Sequence, residues 1–79
     1  MSTNDAPRPQ SITADIVASV ISIDTEVGAE VAVGETLLVM ESMKMEIPIT
    51  APTAGTVTRI GVAIGDVVQE GDLLVEIQR

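Results

Sequence analysis

The hydrophobic positions of this chain fall in short runs, each ended after a few residues by glycine, proline or a polar cluster. Ile47 and Ile49 alternate with Glu46, Pro48 and Thr50, the two-residue period of a half-buried strand. No long stretch carries the 3.6-residue period of an amphipathic helix. The pattern predicts an all-β chain with strands over residues 11–15, 18–23, 31–33 and 36–41, and again over 46–50, 55–62, 67–68 and 73–77. Glycines and prolines fall between these runs, where they punctuate rather than break them.

The two sets of four strands are copies of one pattern. Sliding the chain against itself by 37 residues brings Val20 onto Val57, Ile23 onto Ile60, Gly28 onto Gly65, Val31 onto Val68, Gly34 onto Gly71 and Leu37 onto Leu74. Glu35 meets Asp72, Val27 meets Ile64, Leu38 meets Val75 and Met40 meets Ile77. Two copies are too few for a solenoid. They predict two similar β-units related by a pseudo-two-fold axis in one sandwich. Gly34 and Gly71 stand where a turn calls for a positive φ.

Composition narrows the function. Of 79 residues, 11 are valine, 9 isoleucine and 4 leucine, so β-branched residues dominate the prospective core. Cysteine and histidine are absent, which removes disulfides, thiolate metal sites, the commonest metal ligand and the usual general base near neutral pH. Phenylalanine, tyrosine and tryptophan are absent too, and the formal charge is −8. A nucleic-acid binder needs base-stacking rings or a basic face, so no nucleic-acid partner is expected. No run approaches the ~20 apolar residues of a membrane span. Residues 1–10 have no apolar signal-peptide core and read as a flexible polar tail before a single domain over 11–79. The expected compartment is the cytoplasm.

One segment belongs to neither repeat: Glu41-Ser42-Met43-Lys44-Met45-Glu46, which falls at a hairpin tip between them. Lys44 is the only lysine; the other cations are Arg8, Arg59 and Arg79. A lysine on a turn is ordinarily a solvated charge. Here it is unique, it sits at the junction of a repeat, and two methionines bracket it where turns are normally polar. Methionine suits adaptable binding surfaces.

The stretch Glu41–Met45, ESMKM, resembles the E-A-M-K-M attachment motif of biotin carboxyl carrier domains, with Ser42 in place of alanine. The resemblance continues through Thr50-Ala51-Pro52, Ala54-Gly55-Thr56-Val57, Gly65-Asp66 and Glu70-Gly71-Asp72, and covers residues 12–77. It implies a flattened β-barrel or sandwich of two four-stranded antiparallel sheets with quasi-two-fold symmetry, the fold shared by biotinyl and lipoyl domains. It also implies that a biotin protein ligase joins biotin to Lys44. The loaded arm would then carry CO₂ between the biotin carboxylase and carboxyltransferase components of a carboxylase, with the acyl-CoA type expected. By the same match Met43 and Met45 present the lysine and contact the cofactor. Glu41 either orients the tip for the ligase or is simply solvated. The chain itself is expected to be a non-catalytic carrier without metal, since no nucleophile–base pair or metal cluster is visible. Some carriers of fatty-acid synthesis insert a thumb between early strands; residues 23–28 leave no room for one here. Met1 and the polar tail favour a small stand-alone biotinylated protein. Two other readings compete. Lipoyl domains carry a lysine on a similar hairpin, typically in D-K-A, whereas here methionine stands at both flanks. A cofactor-free β interaction module is the second.

Overall fold

The computed structural model describes residues 9–79. Eight strands follow in order: β1 (Pro9–Thr13), β2 (Ala18–Ile23), β3 (Glu30–Val31), β4 (Thr36–Ser42), β5 (Met45–Thr50), β6 (Gly55–Ile60), β7 (Val67–Val68) and β8 (Leu73–Gln78). They form two four-stranded sheets, ordered β1-β8-β6-β3 and β5-β4-β2-β7, with every pairing antiparallel. No helix occurs among the described residues.

The 37-residue offset maps the two halves onto each other strand by strand: β2 onto β6, β3 onto β7, and the starts of β4 and β8. Applied to the sheet orders, it exchanges the sheets. Each sheet takes two strands from each half, so the halves are interleaved rather than stacked. The bonds that close the turns obey the same offset. Gly28 N–H donates to the Val57 carbonyl at 2.8 Å and Gly65 N–H to Val20 at 2.8 Å; Gly34 donates to Ala51 and Gly71 to Ala14, both at 2.8 Å.

The core between the sheets is aliphatic. Val20, Leu37, Leu38, Met40, Val57, Val68, Leu74, Val75 and Ile77 are fully buried, and no polar residue is buried among the described residues. Each such side chain gains roughly 1.5–3 kcal/mol on leaving water. β4 and β8 bear the two bulkiest stretches and lie inside their sheets, each flanked by strands on both sides.

Several strand limits differ from the sequence expectation, and the turns explain why. β1 starts at Pro9 and stops at Thr13, so Pro9 and Gln10 belong to the sheet and not to a tail; the rest of the expected tail lies outside the described residues. It stops early because Ala14 turns both backbone groups to the start of β8, its N–H to Asp72 at 2.9 Å and its carbonyl to Gly71 at 2.8 Å. β3 ends at Val31 because Ala32 opens a tight turn: Glu35 N–H closes on the Ala32 carbonyl at 3.1 Å, and the Glu35 carboxylate accepts the Ala32 N–H at 2.9 Å. Asp72 repeats this with Gln69. Gly71, third residue of that second turn, has φ +95°, a region costly to side-chain-bearing residues. β6 ends at Ile60, where Gly61 N–H turns to the Leu74 carbonyl at 2.9 Å. β4 and β5 each gain one residue at the hairpin, to Ser42 and from Met45.

Candidate functional site: a lysine hairpin

Strands β4 and β5 pair without interruption into their turn, with Met40 opposite Ile47, Glu41 opposite Glu46 and Ser42 opposite Met45. That register leaves only Met43 and Lys44 as the loop. Both have positive φ, 53° and 67°. Two successive left-handed residues are the signature of a type I′ turn, whose twist matches that of the flanking strands. Asn-Gly is the usual occupant, because left-handed backbone costs other residues ~1–2 kcal/mol each. Two long side chains in that conformation are a local strain, held in place by the pairing on either side. Such strain is concentrated at functional positions.

The base of the hairpin is fixed by the core. Leu37, Leu38 and Met40 of β4 are buried, so the strand cannot slide without exposing them. Lys44 itself is exposed, Met43 is 89 % exposed and Met45 64 %. Since Met40 faces inward, alternation points Glu41 and its partner Glu46 outward. Two exposed carboxylates thus face each other across the strands just below the amine, an arrangement that disfavours the free hairpin slightly. They make a negative collar beneath the only lysine of the chain.

Sequence reasoning assembled Glu41, Met43, Lys44 and Met45 correctly on one tip, but missed what stands beside it. The Ser42 hydroxyl donates to the Val17 carbonyl at 3.0 Å, 25 residues away. This brings the β1–β2 loop, with exposed Ile16 and Val17, against the hairpin base. The available signal was two consecutive apolar residues, Ile16 and Val17, in a short interstrand segment. Glu46 was missed as the facing partner of Glu41.

The same loop orients the molecule. Ala14 bonds to Gly71 and Asp72, so the hairpin, the β1–β2 loop and the start of β8 share one pole. β8 runs away from that pole to Gln78, which pairs with Pro9. The two ends of the described chain therefore lie at the pole opposite Lys44. An open recess lined by Ile23, Asp24, Thr25, Glu26, Ala29 and Glu35 is built from the distal end of β2 and the turns beyond it, and offers no reactive group. No trio of metal-ligating side chains occurs among the described residues.

A two-sheet scaffold that holds one lysine amine clear of its surface, at the pole far from the ends of the described residues, has the form of a swinging-arm carrier domain. A family model described as "Biotin-requiring enzyme", the biotin/lipoyl family, matches residues 8–77, and the chain belongs to that family. The biotinylated protein TB7.3 homolog of Mycobacterium leprae is 45 % identical over 65 residues, 82 % of this chain and 92 % of that protein. Pyruvate carboxylase of Bacillus subtilis is 39 % identical over 75 residues, 95 % of this chain but only 6 % of that protein. A solved single-chain, multi-domain long-chain acyl-CoA carboxylase superposes with a TM-score of 0.83 at 34 % identity, over 90 % of this chain and 7 % of the other. The fold is thus the biotinyl/lipoyl fold, the family is one of carriers, and biotin is the family's cofactor.

Proposed function

We propose that Lys44 is the biotin attachment site and that a biotin protein ligase forms the amide at its Nζ. The observation that carries this is the placement of the only lysine at the second position of a two-residue hairpin, exposed and bracketed by two exposed methionines. The site fits an acyl group. The amine is sterically open, and amide formation removes a positive charge that no buried partner needs. Attached biotin supplies a ureido nitrogen that carries a carboxyl group. The chain's own part is mechanical: β4 anchors the tip through the core, the turn aims Lys44 outward, and Met43 and Met45 give the partner enzymes apolar contact. Glu41 and Glu46 offer a cationic recess a matching pair of acids. Tethering keeps the arm at high effective concentration near each partner's active site.

The partners in this reading are the biotin carboxylase and carboxyltransferase components of a carboxylase in the cytoplasm. An acyl-CoA carboxylase is the type proposed, supported by the likeness to the long-chain enzyme; the pyruvate carboxylase likeness supplies the rival. Biotinylated chain used as bait, followed by carboxylation assays of the captured complex with acyl-CoA and with pyruvate, separates them. For the site, the test is Lys44→Arg. The variant should fold as the parent does and give no streptavidin signal after incubation with biotin, ATP and ligase. A signal on that variant would overturn the assignment.

A further inference from the structure

Methionine is the only readily oxidised side chain this protein has: there is no cysteine, tryptophan, tyrosine or histidine, and 4 methionines in all. Thioethers react with peroxides in proportion to their exposure. Met40 is 1 % exposed and sits in the core, whereas Met43 and Met45 are 89 % and 64 % exposed. Neither exposed thioether supports the fold. Met43 lies on a left-handed turn with its side chain in solvent, and Met45 is the first residue of an edge strand. The molecule thus places two oxidisable groups on the two sides of its one lysine, with the core out of reach.

We propose that Met43 and Met45 are a peroxide-sensitive modification site whose oxidation switches off loading of Lys44; the consequence for loading rests on the biotin reading above. Each thioether sulfur attacks one oxygen of hydrogen peroxide. The O–O bond breaks, an S–O bond forms, and the displaced oxygen leaves as water after proton transfer. Sulfur is oxidised by two electrons and the peroxide is reduced. A flexible apolar side chain becomes a dipolar one with a strong hydrogen-bond acceptor. Any apolar recess that receives the tip must then desolvate that oxygen, and binding weakens. The change is reversible: a methionine sulfoxide reductase using two thiols returns the thioether, with water and a disulfide as products. Because neither side chain is packed, the sandwich survives both steps.

The test treats the full chain with hydrogen peroxide and maps the oxygen by peptide mass spectrometry. Biotin ligase kinetics are then measured before treatment, after it, and after reductase. Oxygen should appear on Met43 and Met45 and not on Met40. The β-sheet circular dichroism should be unchanged. Ligase kcat/KM should fall at least tenfold and recover with reductase. The M43L/M45L variant, which keeps Met1 and Met40, should show the same rate before and after peroxide, whatever that rate is. Oxidation that reaches Met40 before the tip, or a sulfoxide-bearing tip loaded at the untreated rate, would overturn the proposal. Untreated chain that takes no biotin would instead overturn the carrier reading and the loading consequence with it, while the peptide map still decides where oxygen goes.

Discussion

The hydroxyl of Ser42 donates to the backbone carbonyl of Val17 at 3.0 Å, tying the base of the lysine hairpin to the loop between β1 and β2. This bond is made by the one residue of Glu41–Met45 that departs from the E-A-M-K-M pattern the segment resembles. It carries the contact between β2 and β4, in which Ser19 already faces Glu41, one step outward to the last residue of the β1–β2 loop.

Ser42→Ala removes the donor but leaves a carbonyl that water can reach, so the stability cost is small, at most about 1 kcal/mol. The local effect is larger. Amide exchange over residues 14–17 and 43–44 should quicken severalfold relative to β4 and β8, as read by native-state hydrogen exchange. Unchanged exchange in both segments would mean that the bond holds nothing in place.

Met43 adopts a left-handed conformation that asparagine tolerates better. Met43→Asn should therefore raise the urea midpoint, by about 0.5–1 kcal/mol of stability, while lowering the rate of enzymatic loading at Lys44. A variant that is both less stable and normally loaded would contradict the account of the turn. Gain of stability with loss of function is the usual sign of a residue kept for its contacts with a partner.

Two glycines separate backbone strain from crowding. At Gly71 an added Cβ meets nothing within 4 Å, but φ is +95°, so Gly71→Ala should cost only about 1–2 kcal/mol. At Gly55 the same Cβ would lie 2.5 Å from the carbonyl oxygen of Gln78 and 2.7 Å from the Ile77 side chain. Gly55→Ala must force β6 away from β8 and should be the more damaging of the two. Urea denaturation of the pair decides; equal midpoints would contradict the packing of β6 on β8.

The repeat was legible because both halves use glycine, valine and leucine at the same stations, and it located β2 and β7 to the residue. It does not say which strands pair. Likeness of two halves is compatible with two separate four-stranded units or with the interleaving seen, and the pairings across the halves, β1 with β8, β2 with β7, β3 with β6 and β4 with β5, decide. Strand ends went astray where a turn captures a backbone group, as at Ala14 and Ala32, since those bonds run to residues distant in sequence or to a side-chain carboxylate. At the site, the order Met-Lys-Met was enough to single out Lys44, which the structure places exposed on the hairpin turn. The left-handed turn was hidden because local preference speaks against it, and the Ser42–Val17 bond because a hydroxyl in place of alanine looked like a neutral exchange.

Lys44 stands exposed on the hairpin turn, where the proposed acylation by biotin takes place. The most direct measurement offers the chain simultaneously to a biotin ligase with biotin and to a lipoate ligase with lipoate, then maps the modified peptide by mass spectrometry. A single biotinyl group on the peptide containing Lys44, and no lipoyl group, is the predicted result. A lipoyl group at Lys44, or no acylation of that residue by either enzyme, would contradict it.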